Sequence, residues 1–468
     1  MPKVDVVVGG GIAGLLAALL LSEQKKHKVI LVERETQVGG LLRCFNYGEH
    51  GVFDYGMHNM YETGISALDE LLFGLLPDSD WQILEGPARD LAGVVFNGAV
   101  QYNSPFPDLR LLPQEQWDSC VLDFFGQMEN PRHSNFESAW DDILSRLGRS
   151  TADLIDTVLL KQFGKRGIEL APFATRLTTL SRVVMFSEEP FANLMASSLM
   201  RDRLAWPEQR TLPAIWGSGR KAYYPKKYGI YRVVDALLER LKDAGVEIIT
   251  GAQVQSLEIT NNQVNKLIVS SVNGDREIAS LEQFIWTSGL PGISQLLGMD
   301  LSCYRFDPPR KTVVVNLLLR QPPNMRDLYY LYCYESGCHT FRVTNFAAYC
   351  EGAYRPSGWP IAVELLVDAP LPDSEDLKNI ALNELKQFGV ITTVDDVTFA
   401  AVEPLSSGFP MPSVNNFNSL SDMRKRVGLM NLSNLTLLGI LSDENIFFQR
   451  DVLAQTWLKI MQQDNLNG

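Results

Sequence analysis

The chain has 468 residues, of which 46% are hydrophobic and 21% charged, an ordinary globular balance that excludes a disordered tail, a collagen-like fibre and a coiled coil. At about 100–200 residues per domain, this length predicts two or three domains. Lys and Arg number 42 and Asp and Glu number 55, so the net charge is −13, which disfavours general nucleic-acid binding.

The six cysteines form no CxxC pair and only five histidines are present, so we expect a reduced chain with neither a disulfide framework nor a metal site. Cys333 and Cys338 give no indication of a redox pair, because their spacing differs from CxxC and no helix N-terminus is evident beside them.

The N-terminal segment is too interrupted to cross a membrane. Four glycines divide its apolar stretch 6–21, and the unbroken part, 15–21, is far shorter than the roughly 20 residues of a span. No small-residue cleavage site follows, as a secretory signal would require. We therefore expect a cytoplasmic protein without a transmembrane segment. The sequence does not determine the oligomeric state, and a homo-oligomer is one of the alternatives.

The same segment predicts a strand, a turn and a helix. The β-branched run 4–8 is typical of a strand buried on both faces of a parallel sheet. The turn 9–14 reads Gly-Gly-Gly-Ile-Ala-Gly, which has the form GxGxxG, and a helix over 15–22 and a strand over 28–32 follow. This order predicts a Rossmann-type dinucleotide-binding domain of the α/β class.

Each part of this arrangement has a physical role. Gly9 permits the tight turn, Gly11 lets the backbone approach a pyrophosphate, and Gly14 lets helix and strand pack closely. Glu33 ends the second strand, where an acid accepts hydrogen bonds from a ribose and repels the 2′-phosphate of NADP. The helix N-terminus offers unpaired N–H groups to the phosphates, with Ile12 and Ala13 at its start.

Residues 33–43 read ERETQVGGLLR and contain the pattern ExxxxxGGLxxR. This pattern resembles the flavoprotein family that includes amine oxidases, protoporphyrinogen oxidase and UDP-galactopyranose mutase. The resemblance implies that the cofactor is FAD and that this segment follows its pyrophosphate and ribityl chain. The residues that it places there are Arg34, Gly39, Gly40, Leu41 and Arg43.

The resemblance extends over nearly the whole chain. It implies that Val254 meets the adenine, that Gly439 approaches the pyrophosphate, and that a terminal helix beginning near Asp451 and Val452 directs its N-terminus at the flavin. The family usually has an Arg or an acid directly after that glycine, and this chain has Ile440.

Two segments are most similar to the mutase. The sequence from Gly56 through Met57 to His58 resembles the mutase segment that lies against the flavin ring, with Tyr61 where a second His would stand. Arg342 matches the arginine that binds the diphosphate of the sugar nucleotide in the mutase. The mutase has a tyrosine pair where this chain has Phe at 447 and 448, which favours a different nucleotide sugar or a lipid-linked sugar.

The chain changes character several times along its length. Residues 114–205 contain few glycines, and their amphipathic stretches 151–163 and 191–204 predict helices, whereas 223–229 predicts a loop. We predict an FAD-binding domain from 1–45, 220–298 and 425–468, a mixed-sheet substrate-binding domain from 46–113 and 299–424, and a helical insertion over 114–219.

The leading hypothesis is an FAD enzyme resembling the mutase, which acts on an activated sugar in glycan or glycoconjugate synthesis with His58 and Arg342 in catalytic positions. Reduced flavin would be the nucleophile. The alternative is an oxidoreductase of the amine oxidase or protoporphyrinogen oxidase type, which transfers hydride from its substrate to FAD. A flavin-stabilised scaffold without catalysis is a third class.

Overall fold

The structure is a computed structural model that describes residues 2–128, 136–405 and 410–467. Among these residues no helix is both long and apolar enough to span a membrane. The α-helices are Ile12–Glu23, Ser66–Phe73, Gln114–Gly126, Ala139–Leu147, Arg149–Phe163, Glu188–Leu194, Ser198–Arg203, Tyr231–Asp243, Leu290–Leu296, Phe346–Tyr349, Ser374–Gln387, Val414–Leu429 and Gln449–Asn467.

A five-stranded parallel sheet organises the N-terminal unit. Alternate residues of its central strand face two layers, since Val7 packs in the core with Leu15, whereas Val6 and Val8 pack in a second core with Val254. In spatial order the strands are Glu247–Ile249, Lys28–Val32, Val4–Val8, Leu281–Trp286 and Leu435–Leu437.

The two layers that cover this sheet differ. The helix Ile12–Glu23 lies on one face and contacts both Tyr231–Asp243 and Gln449–Asn467. An antiparallel sheet lies on the other face, and its first turn, Asn261 and Asn262, has positive φ at both residues, as a two-residue hairpin requires. The strands of this sheet are Ala252–Thr260, Gln263–Ser271 and Gly274–Ala279.

The second large sheet has seven strands and is mixed. Its pairs are antiparallel except for Tyr330–Cys333, which runs parallel to Ala92–Phe96. In spatial order the strands are Val397–Pro404, Lys311–Leu319, Trp359–Val367, Thr340–Asn345, Tyr330–Cys333, Ala92–Phe96 and Ala99–Gln101. The predicted fold class, a Rossmann-type domain combined with a mixed sheet, is thereby confirmed.

Short strands connect these units. Cys44–Asn46 pairs with Val52–Asp54, and Ala222–Pro225 lies between Met60–Tyr61 and Trp81–Leu84. The prediction of a loop over 223–229 was therefore wrong for residues 223–225, which belong to this strand. Two flanking strands take up the backbone hydrogen bonds there, which local sequence cannot show.

The helices between residues 114 and 205 surround a core of their own. The helix predicted over 151–163 is present as Arg149–Phe163. The helix predicted over 191–204 is divided into Glu188–Leu194 and Ser198–Arg203, because Ser197 has extended backbone angles and begins the second helix. The stretch is thus mostly helical, as predicted, but it is interrupted once.

Candidate active site

A cavity of about 1370 Å³ is lined by residues of both large sheets, from Gly11 of the Rossmann-type unit to Arg342 of the seven-stranded sheet. Pockets for drug-sized molecules usually measure about 300–1,000 Å³. This cavity therefore has room for an extended dinucleotide together with a second ligand.

Backbone forms the part of the wall that we call the glycine side, residues 9–13 and 39–43. Gly9 has a φ of +104°, and the Gly39 N–H donates to the Gly10 carbonyl over 2.7 Å, so the two glycine-rich turns are joined. A Cβ on Gly40 would lie 3.3 Å from the Gly11 Cα, whereas a Cβ on Gly11 would meet nothing within 4 Å. The open face of Gly11 thus belongs to the cavity.

The charges on the glycine side suit a diphosphate and a ribose. The helix Ile12–Glu23 has Gly11 as its N-cap residue and no side chain capping its N-terminus, so its first N–H groups remain available to an anion. The Glu33 carboxylate accepts from the Gly10 N–H over 2.5 Å and from the Glu35 N–H over 2.7 Å. Its remaining lone pairs can accept ribose hydroxyls. These residues fit the extended dinucleotide that the sequence predicts.

Three of the residues singled out in the sequence do not line the cavity. Gly14 lies behind the turn, where a Cβ would be 1.8 Å from the Gly9 carbonyl oxygen, so its role is close packing. Gly56 and Asp451 are the other two. The predicted residues that do line it are Gly9, Gly11, Ile12, Ala13, Glu33, Arg34, Gly39, Gly40, Leu41, Arg43, Met57, His58, Val254, Arg342, Gly439 and Val452.

Asp451 lies in the first turn of the helix Gln449–Asn467, where its carboxylate accepts from the Phe448 N–H over 3.3 Å. This contact satisfies a backbone donor at the helix N-terminus. The prediction that the helix begins near Asp451 and Val452 agrees with its position, and Val452 supplies the contact with the cavity.

We call a second part of the wall the charged side; it consists of His58, Arg89, Asp90, Arg220, Arg342 and Glu364. Arg342 donates to one oxygen of Glu364 through Nε, over 2.9 Å, and through Nη2, over 2.7 Å. A Cβ on Gly56 would lie 2.8 Å from that oxygen, so the glycine lets the segment before His58 approach the ion pair.

The environment of His58 keeps its imidazole neutral. Removal of solvent from the ring, and then the positive charge of Arg342, lower its pKa to about 4. At neutral pH one ring nitrogen is therefore a hydrogen-bond donor and the other an acceptor.

Asp90 accepts hydrogen bonds from two phenolic hydroxyls that the sequence did not reveal. Tyr61 Oη donates to the carboxylate, lying 3.2 Å from each oxygen, and Tyr330 Oη lies 3.1 Å from one of them. Burial raises the pKa of Asp90, while Arg89 opposes the shift. The three residues come from separate segments, so no sequence motif could have identified them.

Arg89 and Arg220 add positive charge that the sequence analysis also missed. Arg89 donates to the Ser218 hydroxyl and lies 3.7 Å from Asp90, while its Nε has no partner in the described part of the chain. Arg220 also lines the cavity. It forms no ion pair with an acidic side chain among residues 2–128, 136–405 and 410–467. Two of the three guanidinium groups are therefore incompletely neutralised.

Two buried carboxamides lie in the wall without hydrogen bonds. Among the described residues, neither amide atom of Asn59 and neither amide atom of Gln162 has a partner, and both residues line the cavity. Unpaired buried amides are rare in folded proteins because each costs about 1–3 kcal/mol. They mark positions where a polar ligand would be favourable.

Residues 7–71 match the family model of an NAD(P)-binding Rossmann-like domain. No curated protein sequence matches the chain. A crystal structure of reduced UDP-galactopyranose mutase is similar, with a TM-score of 0.77 and 17% identity over 100% of this chain and 96% of the other.

Two oxidase structures are also similar. One protein, from Exiguobacterium sp., is assigned as a protoporphyrinogen oxidase and has a TM-score of 0.68 at 16% identity, with 98% of each chain covered. A double mutant of putrescine oxidase has a TM-score of 0.62 at 12% identity, again with 98% of each chain covered. By fold, this chain is therefore similar to structures of UDP-galactopyranose mutase, of a protein assigned as a protoporphyrinogen oxidase and of putrescine oxidase.

Proposed function

We propose that this chain is an FAD-dependent enzyme that acts on an anionic, activated sugar, either nucleotide-linked or lipid-linked, in the manner of UDP-galactopyranose mutase. The observation that carries the proposal is the single cavity that adjoins both the glycine side and the charged side. When bound, reduced FAD supplies a nucleophilic nitrogen that can displace a diphosphate from a sugar carbon.

The cofactor assignment is supported by the residues of the glycine side. Gly11 presents backbone without a side chain, the helix N-terminus is uncapped, and the Glu33 carboxylate is fixed by two N–H groups. The volume of about 1370 Å³ leaves space beyond one dinucleotide for a substrate.

The choice of an anionic substrate is supported by the balance of charge. The charged side contains three guanidinium groups, of Arg89, Arg220 and Arg342, against the two carboxylates of Asp90 and Glu364. An excess of one positive charge in a partly desolvated cavity favours an anion and stabilises a departing diphosphate.

Proton transfer in this site is best supplied by Asp90. Its raised pKa brings the carboxyl closer to neutrality, and Tyr61 and Tyr330 fix its orientation. His58, whose pKa is lowered to about 4, can donate or accept a hydrogen bond but does not contribute a positive charge at neutral pH.

A redox alternative has one specific observation in its favour. Phe447 and Phe448 line the cavity and offer no hydroxyl to a diphosphate. On this alternative the chain is an oxidoreductase that transfers hydride from its substrate to FAD.

Stopped-flow flavin spectra distinguish the two functions. We expect a nucleotide sugar, with UDP-galactose as the first probe, to perturb the spectrum of the dithionite-reduced protein, and turnover to require reductant without consuming electrons. Bleaching of the oxidised flavin by substrate alone, with no response of the reduced protein to any nucleotide sugar, would establish the oxidoreductase instead.

An Asp90→Asn variant tests the proton-transfer assignment. We expect a loss of about 10²-fold or more in turnover with little change in binding of the UDP probe, since an amide cannot exchange the proton. Tyr61→Phe, which removes one hydroxyl donor, is the matched variant; it should retain most activity and raise the pKa of Asp90, because the lost hydrogen bond stabilises the carboxylate. Full activity of Asp90→Asn would remove this residue from the mechanism.

A further inference from the structure

Two cysteines and a buried lysine meet at a strand turn outside the cavity wall. Cys333 ends the strand Tyr330–Cys333, and Cys338 lies in the turn before Thr340–Asn345. The antiparallel pairing places Tyr332 opposite Arg342, so both cysteines belong to the same end of this hairpin. Cys333 is 0% exposed and Cys338 is 9% exposed.

Lys161 brings its ammonium group to this turn from the end of the helix Arg149–Phe163. Nζ donates to the Cys333 carbonyl and, over 2.6 Å, to the Thr340 carbonyl. An ammonium group has three donors, and its charge acts on the neighbouring Cys333 thiol as well. The lysine thus holds both strands of the hairpin by their carbonyl groups.

The burial of Lys161 calls for an anion. The residue is only 5% exposed, and within the described part of the chain it makes no ion pair with a carboxylate. A buried charge without a partner costs several kcal/mol, and the Cys333 thiol is the adjoining group that can become anionic. A thiolate at Cys333 would therefore neutralise the ammonium.

The interaction of the thiols agrees with this assignment. Contact with the Cys338 thiol, and then the Lys161 ammonium, lowers the pKa of Cys333 despite its burial. The same contact, together with burial, raises the pKa of Cys338. One sulfur is thus favoured as the thiolate and its neighbour as the thiol.

The turn itself is fixed from outside. The Glu384 carboxylate accepts from the N–H groups of His339 and Thr340, each over 2.7 Å. Since these residues follow Cys338 directly, the position of its sulfur relative to Cys333 is set by the fold.

We propose that Cys333 and Cys338 form a reversible dithiol–disulfide site for small oxidants of the peroxide class, with Lys161 as the positioning residue that holds Cys333 as a thiolate. The Cys333 thiolate attacks one peroxide oxygen and becomes a sulfenic acid; the O–O bond breaks, and the departing hydroxide takes up the proton that the Cys333 thiol had released, which gives one water. Cys338 then attacks the Cys333 sulfur, forming the S–S bond and releasing a second water. Two thiols lose two electrons and two protons, and one hydrogen peroxide becomes two waters.

Peptide mapping of the full chain tests this site directly. Both cysteines lie within the tryptic peptide 327–342, which has no internal Lys or Arg. After one equivalent of hydrogen peroxide, denaturation and alkylation, we expect this peptide to carry no alkyl group and to be lighter by two hydrogens, and dithiothreitol to restore both thiols. Two alkylated cysteines in this peptide, under conditions that oxidise the exposed Cys303, would overturn the proposal.

Variants separate the roles of the three residues. In Cys338→Ser a sulfenic acid at Cys333 should persist and be trapped by dimedone, whereas Cys120→Ser, at a buried cysteine of the helix Gln114–Gly126, should leave disulfide formation unchanged. Lys161→Met should slow disulfide formation at pH 7 by about tenfold and shift its pH dependence upward. A wild-type rate and pH profile in Lys161→Met would remove the lysine from the site. The wild-type peptide map decides the thiol pairing even where a variant does not fold.

Discussion

Backbone lines the glycine side of the cavity, whereas side chains line the charged side. At the glycine side the decisive quantity is the space that a Cβ atom would find: on Gly14 it would lie 1.8 Å from the Gly9 carbonyl oxygen, whereas on Gly11 it would meet nothing within 4 Å. At the charged side it is the balance among the guanidinium groups and the carboxylates. Substitutions should therefore act through sterics on one wall and through charge on the other.

The largest expected effect is the loss of the first turn in Gly14→Ala. Its new Cβ would overlap the Gly9 carbonyl, so we expect at least 1–3 kcal/mol of destabilisation, or no soluble protein. The matched variant is Gly11→Ala, whose Cβ meets no atom and should cost under about 1 kcal/mol while abolishing retention of FAD. Thermal unfolding and flavin absorbance measure the two effects. Equal stability of the two variants would contradict the claim that substitutions on this wall act through steric overlap.

The next effect concerns the pH dependence of stability at Asp54, behind the cavity. Burial raises the pKa of this carboxyl to about 7, although Tyr224 and the Ile230 N–H donate to it. Because the folded state holds the proton more tightly than the unfolded chain, this group should make the free energy of unfolding fall by a few kcal/mol between about pH 4 and pH 7.

Asp54→Asn keeps an oxygen acceptor and removes the titration. We therefore expect the slope of the free energy of unfolding against pH to be smaller in the variant over that interval, as measured by urea unfolding at several pH values. An unchanged slope would show that Asp54 ionises in the folded protein as it does in the unfolded chain.

A smaller effect should appear on ligand affinity in Arg220→Ala. Arg220 has no acidic partner among the residues that the structure describes, so its loss should leave stability within about 0.5 kcal/mol of the wild type and weaken binding of UDP about tenfold. Arg342→Ala is the informative contrast, because it leaves the Glu364 carboxylate, only 8% exposed, without its cation and should reduce stability as well. Calorimetry of binding and of unfolding gives both quantities. An unchanged affinity of Arg220→Ala for UDP would contradict the claim that the excess positive charge of the charged side favours an anionic ligand.

The smallest effect is expected for Arg34→Ala. Its side chain is 71% exposed and pairs with the adjoining Glu35, so it should contribute less than about 1 kcal/mol to FAD binding. A much larger loss, measured by FAD titration of the apoprotein, would show a direct charge contact with the cofactor.

The two walls also differ in how far the sequence reveals them. Gly9, Gly11, Gly14 and Glu33 lie in one continuous motif whose spacing is dictated by the strand, turn and helix, so their arrangement follows from local rules. Their positions in the structure agree with that pattern, and Gly14 has the packing role that the motif assigns to it.

On the charged side, only the residues that match motifs of the flavoprotein family could be predicted from the sequence. Arg342 and His58 were found by resemblance, and both line the cavity. Asp90, Arg89 and Arg220 were missed, because their meeting depends on long-range strand pairing and not on spacing along the chain. The contact of Cys333 with Cys338 was missed for the same reason, since a hairpin turn brings them together without a CxxC motif.

Absorbance of the freshly purified chain, followed by titration of the apoprotein with FAD, tests the central claim most directly. We expect a yellow protein that holds one FAD per chain, and Gly11→Ala to lose the colour while remaining folded. A colourless wild-type protein that takes up no FAD would contradict the account of the cavity and of the function proposed for it.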